Sequence, residues 1–188
     1  MKVSPNSTAL HQNRNPNVGE LGEKLVAEWL KNKGWTILHH RWRCPWGEID
    51  VIALKMRHEE WGGVSGEREA GSGGNSPLLR QLDPIIAFVE IKTRSRKNWD
   101  EDGRLAVTPR KQAKIRQTAE LFLADYPDAA TVNCRFDVAI VNCQRLSPNL
   151  RGAVTSYVIQ STPVELGKPV QVAGYQLILQ DYIDSAFE

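Results

Sequence analysis

The chain has 188 residues, 41% of them hydrophobic, and its formal net charge of +2 is too small to indicate a nucleic-acid partner by itself. It can bury one core of about 140 residues, so we expect a flexible N-terminal tail (1–17) and a single domain (18–188). The tail lacks an apolar signal-peptide core, no run approaches a membrane span, and three cysteines match no zinc spacing, which predicts a cytoplasmic protein without a membrane partner.

The first predicted element is an amphipathic helix that begins shortly after residue 17. Leu21, Leu25 and Trp29 recur every four residues, and Gly34 is the expected stop signal. Glu23 falls at the border of the apolar stripe, about 20° from the position of Leu30 on a helical wheel. Glu23 can therefore face the core, although an ordinary surface position fits its spacing equally well.

Three strands are predicted next, at 35–42, 47–53 and 88–94. In the third, Glu90, Lys92 and Arg94 share one face, because successive side chains of a strand point to opposite faces. Arg94 could also bridge to Glu48. In the second strand, the same alternation predicts one apolar face, which is formed by Ile49, Val51 and Ala53 and lies opposite Asp50.

Asp50, Glu90 and Lys92 are expected to converge at one edge of these two strands. An isolated buried carboxylate is very costly, and pairing with a cation is the usual remedy. Two carboxylates beside an ammonium group suggest a site for a hard cation such as Mg²⁺. The alternative is an ordinary ion pair of Glu90 and Lys92 on a solvated strand face, since a Glu-x-Lys triplet is expected about once by chance in such a chain.

A glycine-rich stretch at about 57–84 separates the two charged strands and shows no sustained apolar period. It is interpreted as a flexible insertion at a hairpin tip. Closure entropy grows only logarithmically with loop length, so the strand pairing is expected to survive the insertion.

A basic segment follows, with nine Lys and Arg residues against three Asp and Glu residues between Lys92 and Arg116. It predicts phosphate contacts, unless it is simply a solvated helix face. Thr108 is the expected cap and Pro109 the first residue of a second helix, which ends before Pro127.

Further strands are predicted at 134–141, 153–160 and 174–179, with a loop at 144–152. Asp137 is expected to form a salt bridge with Arg135 or another neighbour. The predicted elements sum to an α/β fold, a mixed β-sheet flanked by α-helices.

Taken in order, five motifs resemble those of the YraN-like family of small bacterial proteins: Gly19-x-x-Gly22-Glu23-x-x-x-Ala27, Gly34-Trp35, Gly47-Glu48-Ile49-Asp50, Phe88-Val89-Glu90-Ile91-Lys92-Thr93-Arg94 and Arg135-Phe136-Asp137-Val138. That family resembles the PD-(D/E)xK nucleases of the restriction-endonuclease-like superfamily, among them the archaeal Holliday-junction resolvases. The resemblance runs from about residue 19 to the end and implies a restriction-endonuclease-like core. One departure is the separation of forty positions between Asp50 and Glu90, which usually occupy consecutive strands of a hairpin.

The resemblance implies a metal-dependent endonuclease that hydrolyses phosphodiester bonds of DNA, including branched or damaged structures. Asp50, Glu90 and the main-chain carbonyl of Ile91 would hold Mg²⁺ or Mn²⁺. Lys92 would orient the attacking water or stabilise the transition state, and Glu23 would bind a second metal or that water.

The resemblance and the basic segment together suggest five nucleic-acid contacts: Thr93, Arg94, Arg110, Lys111 and Lys114. Junction-cutting relatives of this fold act as dimers, so a homodimer is expected by analogy alone. Two other functions stay open. One is a non-catalytic nucleic-acid-binding module of the same fold, and the other is a protein-interaction adaptor that needs neither metal nor nucleic acid.

Overall fold

The computed structural model describes residues 17–57, 83–95, 107–151, 159 and 163–188. The predicted tail before residue 17 and the glycine-rich stretch at 58–82 lie outside the described residues, as does the strand predicted at 153–160 except for residue 159.

The described residues form α-helices and the strands of a single β-sheet. The helices are α1 (Val18–Asn32), α2 (Pro109–Asp125) and the short α3 (Pro148–Arg151). The strands are β1 (Thr36–Cys44), β2 (Gly47–Arg57), β3 (Asp83–Ser95), β4 (Asn133–Arg145), β5 (Pro169–Val172) and β6 (Tyr175–Phe187).

The two long helices begin at side-chain caps. Asn17 accepts a hydrogen bond from the N–H of Gly19 at 3.1 Å, and Thr108 accepts one from Lys111 at 3.3 Å. After α1 the chain turns at Gly34, whose φ of 80° costs glycine nothing. Both predicted helices are confirmed, and α2 ends two residues before Pro127 as expected.

The sheet has six strands in the order β1-β2-β3-β4-β6-β5. β3 and β4 are parallel and are joined through α2, whereas every other neighbouring pair is antiparallel. The predicted mixed α/β fold is therefore confirmed, and the arrangement is consistent with a restriction-endonuclease-like core. No helix in the described part of the chain is long and apolar enough to cross a membrane.

One hydrophobic core lies on each face of the sheet. On the α1 face, Leu25 packs with Val51 and Val89. On the α2 face, Phe122 packs with Phe88. Adjacent residues of β3 thus enter opposite cores, which confirms the alternation predicted for this strand.

In β2 the predicted alternation is wrong at one residue. Ile49 packs in the α2-side core, whereas Val51 and Ala53, predicted to share its face, pack in the α1-side core. The change coincides with Asp50, where β2 stops pairing with β3 but continues to pair with β1. Since only one neighbouring strand fixes β2 beyond this point, its side chains no longer follow the alternation of the full sheet.

The C-terminal strands also differ from prediction. The strand expected at 174–179 extends to Phe187, and β5, which pairs with it, was not predicted. The expected loop at 144–152 begins with the end of β4, where Arg145 pairs with Tyr175, and it contains α3. Register shifts in the β4–β6 ladder disrupt the period-two pattern that sequence analysis uses.

Candidate active site

The candidate site lies where β2 and β3 separate. Their ladder ends at the pair Val51–Val89, and one further step in that register would bring Asp50 opposite Glu90. The N–H of Ile91 donates to Asp50 Oδ2 at 2.7 Å instead of to a backbone carbonyl of β2. Because the N–H and C=O of a strand residue point to the same side, the Ile91 carbonyl faces the same gap.

Asp50 is only 9% exposed. Burial raises the pKa of its carboxyl to about 7, and the negative charge of Glu90 acts in the same direction. The hydrogen bond from Ile91 opposes the rise. A cation placed between the two carboxylates would stabilise the ionised form and reverse the shift.

Glu90 is 3% exposed and lies beside two ammonium groups. Lys92 Nζ donates to Oε1 at 2.5 Å, and Lys111 Nζ lies 3.1 Å from Oε2. This second contact lacks hydrogen-bond geometry, so Oε2 is a buried oxygen with no hydrogen-bond partner among the described residues. The predicted ion pair of Glu90 and Lys92 is present. It does not lie on a solvated strand face, however, because Glu90 is buried.

Glu23 lies at the border of the core, as predicted, but both of its oxygens are taken. Arg41 Nε donates to Oε2 at 2.6 Å and Nη2 donates to Oε1 at 2.8 Å, while Nη1 reaches Glu20 Oε1 at 2.7 Å. Sequence analysis missed Arg41. One feature of the sequence could have indicated this contact: Glu20 and Glu23 lie one helical turn apart, and two such acids favour a basic side chain that contacts both.

Arg41 has the left-handed φ of 49°, which costs a non-glycine residue about 1 kcal/mol or more. Its neighbours His40 and Trp42 pair with Val51 and Ile49, so Arg41 lies across the β1–β2 ladder from Asp50. Arg41 therefore stands between the helix that carries Glu23 and the strand that carries Asp50.

Thr93 and Arg94 occupy different environments. Thr93 faces α1, where a Cβ added to Gly22 would lie 2.0 Å from its Oγ1, and that oxygen is buried without a hydrogen-bond partner among the described residues. Arg94 is half-buried, and the bridge from it to Glu48 is not formed, because Glu48 pairs with Arg43 at 2.9 Å. Arg43, which lies directly across the β1–β2 ladder from Glu48, thus replaces the predicted partner.

The three predicted nucleic-acid contacts on helix α2 differ in their exposure to solvent. Lys111 turns toward Glu90, whereas Arg110 and Lys114 are exposed to solvent. The structure thus brings together Asp50, Glu90, the backbone of Ile91, Lys92 and Lys111.

Asp137 is fully buried and belongs to a separate network of hydrogen bonds. It accepts hydrogen bonds from Tyr182 Oη at 2.6 Å and Ser185 N at 2.9 Å, and it pairs with Arg135 Nη2 at 3.0 Å. The predicted salt bridge is confirmed. Burial raises the pKa of Asp137, and the hydrogen bond from Tyr182 opposes that rise.

The donors at the strand divergence fit a hard divalent cation. Two buried carboxylates and a main-chain carbonyl provide the oxygen ligands that Mg²⁺ and Mn²⁺ prefer. Oε2 of Glu90 forms no hydrogen bond among the described residues, although a cation there would compete with the ammonium group of Lys111, 3.1 Å away. Within the described ranges, however, no group of three or more His, Cys, Asp or Glu side chains is placed to hold a metal, and both oxygens of Glu23 accept from Arg41.

Comparison with known proteins identifies one family. Residues 22–141 match the model of the uncharacterised protein family UPF0102. A UPF0102 protein of Trichodesmium erythraeum is 44% identical over 190 residues, covering 100% of this chain and 97% of that protein. A UPF0102 protein of Acaryochloris marina is 45% identical over 94% of this chain and 92% of its own, and one of Nostoc is 41% identical over 92% and 94%.

Proposed function

The chain belongs to the UPF0102 family, and we propose that it is a metal-dependent endonuclease that hydrolyses phosphodiester bonds of DNA, including branched or damaged structures. The observation that carries the proposal is the pairing of buried Asp50 with buried Glu90 at the divergence of β2 and β3. A fold that needed only stability would gain little from two carboxylates in one buried space, since each must be compensated.

Asp50, Glu90 and the carbonyl of Ile91 would hold Mg²⁺ or Mn²⁺. When bound, the cation would polarise the scissile phosphate and favour ionisation of the attacking water. The predicted role of Ile91 has support in its N–H, which already points at Asp50.

Two ammonium groups would act on the phosphate. Lys92 is 29% exposed and Lys111 is 35% exposed, so each reaches solvent while it contacts Glu90. Lys92 can donate to the attacking water or to a phosphate oxygen, and Lys111 adds positive charge from α2. Fixed donors directed at an oxygen that gains negative charge stabilise the transition state.

The exposed side chains of Arg110 and Lys114 would contact more distant phosphates. Such contacts supply sequence-independent affinity that decreases with added salt. They position nucleic acid without selecting a sequence, so we propose DNA as the partner without a preferred sequence.

A second candidate is a non-catalytic nucleic-acid-binding module of the same fold. One observation favours it: Lys92 and Lys111 compensate the charge of Glu90 without a metal. In that case the site would bind phosphate through the same cations but cut nothing.

The experiment is cleavage of labelled linear, flapped and four-way-junction DNAs with Mg²⁺, Mn²⁺ or EDTA. The test variant is Asp50→Asn/Glu90→Gln, and the matched control is Glu48→Gln, which neutralises an acid on the same strand outside the site. Metal-dependent cutting that the double variant loses and the control keeps would support the nuclease. Binding without cutting by all three proteins would favour the second candidate.

A further inference from the structure

The contact between Arg41 and Glu23 is more constrained than an ordinary ion pair. Three hydrogen bonds of 2.6 to 2.8 Å join the guanidinium to Glu23 and Glu20. The side chain of Glu23 is 13% exposed and that of Arg41 is 29% exposed, so solvent competes only in part. Arg41, which donates these bonds, also has a left-handed φ, and strained residues of this kind cluster at functional sites.

Glu23 lies on the α1 side of the strands that form the site. Gly22, the residue before it, packs against Thr93 of β3, the strand that carries Glu90. Arg41, which holds Glu23, lies across the β1–β2 ladder from Asp50. Even so, Glu23 does not join a group of potential metal ligands among the described residues.

Glu23 and Glu90 differ in the contacts that their oxygens make. Nε and Nη2 of Arg41 form a fork that occupies both oxygens of Glu23 at once. The fork uses one acceptor site on each oxygen and fixes a positive charge beside the carboxylate, which opposes the approach of a second cation. Oε2 of Glu90 forms no hydrogen bond among the described residues, and Lys111 Nζ, 3.1 Å away, is a more exposed and less constrained cation than Arg41.

We propose that Arg41 withholds Glu23 from the cation site, so that the free protein binds a divalent cation through Asp50 and Glu90 without Glu23. Arg41 is then a positioning residue, which acts on the cation through a neighbouring acid. The proposal rests on the proposed function, because it requires a cation at Asp50 and Glu90. It assigns a role to Arg41, which lies outside the predicted site, and it predicts a measurable change in the affinity for a divalent cation.

The test measures Mn²⁺ binding to the full-length protein by electron paramagnetic resonance, without nucleic acid. The main variant is Arg41→Gly, since glycine adopts a φ of 49° without strain. The matched control is Arg43→Ala, which removes an equal charge from the same strand but from Glu48 instead of Glu23. Arg41→Gly/Glu23→Gln shows whether an effect passes through Glu23, and Asp50→Asn/Glu90→Gln removes the primary ligands.

We expect Arg41→Gly to bind Mn²⁺ about tenfold more tightly than the wild type, because affinity for a hard cation rises with the number of charged carboxylate ligands. Arg43→Ala should match the wild type, and the Arg41→Gly/Glu23→Gln variant should return to the wild-type affinity. Arg41→Lys, which keeps the charge without the fork, should lie between wild type and Arg41→Gly and serves if the glycine variant fails to fold.

Equal tightening by Arg41→Gly and Arg43→Ala would overturn the proposal, because it would reflect lost positive charge alone. Tightening that persists after Glu23→Gln would overturn it as well. If wild type binds Mn²⁺ only when Asp50 and Glu90 are intact but no Arg41 variant changes the affinity, the metal site stands and the role of Arg41 fails. Absence of Mn²⁺ binding in every protein would overturn both.

Discussion

Asp50 and Glu90 occupy one buried space but are compensated in different ways. Glu90 lies beside the ammonium groups of Lys92 and Lys111, whereas Asp50 receives a single backbone N–H from Ile91. The pKa of Asp50 consequently rises to about 7. Asp50 is therefore the carboxyl group of the candidate site whose ionised form is least stabilised by its neighbours.

The raised pKa of Asp50 makes the free energy of unfolding depend on pH. The carboxyl ionises near 3.8 when unfolded and near 7 when folded, so its contribution is fully present below about pH 4 and is lost as pH rises through 7. Asp50→Asn keeps an oxygen for the Ile91 N–H but cannot ionise. Relative to wild type, we expect this variant to gain about 3 kcal/mol between pH 4 and pH 8.

Urea unfolding at both pH values measures this gain. Glu48→Gln, at an exposed ion pair on the same strand, should show no comparable change. A difference between Asp50→Asn and wild type that does not vary with pH would contradict the raised pKa.

Local rules predicted much of this chemistry, and tertiary contacts decided the rest. The shared face of Glu90 and Lys92 follows from period-two alternation, and the cap at Thr108 follows from residue type. Arg41 was missed because its importance depends on a helix 18 residues earlier in the chain. Tyr182, the partner of Asp137, lies 45 residues away, and no local pattern reports such a contact.

Helix α1 can approach β3 closely because Gly22 has no side chain. A Cβ at this position would lie 2.0 Å from Thr93 Oγ1 and 3.2 Å from Thr93 Cβ. We expect Gly22→Ala to lower the free energy of unfolding by about 2 kcal/mol, because α1 and β3 must move apart. Since Thr93 lies in β3, the strand that carries Glu90 and Lys92, the same shift should reduce any DNA cleavage.

Gly19→Ala, in the same helix, is the matched control for this prediction. Its added Cβ would meet only the side chain of Asn17, at 3.3 Å. Chemical denaturation should therefore show a small change or a modest gain in helix stability. Gly22→Ala combined with Thr93→Ala should recover part of the loss, and a loss unchanged by Thr93→Ala would indicate another cause.

Helix α2 directs one lysine inward and leaves the lysine one turn later in solvent. Lys111→Ala removes an ammonium group beside buried Glu90, and we expect it to destabilise the protein by about 1 kcal/mol, because Lys92 remains. Lys114→Ala should change stability by less than about 0.5 kcal/mol. Thermal unfolding of the two variants measures the contrast, and equal effects would show that Lys111 does not compensate Glu90.

The paired ends of β2 and β3 define how the glycine-rich stretch enters the sheet. Arg57 pairs with Asp83, so residues 58–82 connect two chain positions that are already neighbours. An Asn-Gly turn in their place should therefore preserve the sheet. We expect a gain of about 1 to 2 kcal/mol, because a shorter loop loses less entropy on closure.

Urea unfolding of the shortened protein tests this prediction. A chain in which residues 58–82 are scrambled at constant composition and length is the control, and it should match the wild type. Loss of the folded state in the shortened protein, with the scrambled control intact, would show that the pairing of β2 with β3 needs the longer connection.

The buried network around Asp137 also bears on how the protein is synthesised. Asp137 lies in the strand next to β3, and two of its hydrogen-bond donors, Tyr182 and Ser185, belong to β6. Asp50, Glu90 and Lys111 all leave the ribosome before those donors do. A nascent chain that already contains the candidate site still lacks the strand that satisfies Asp137, so we expect a rigid site, and any nuclease activity that depends on it, only after β6 has emerged.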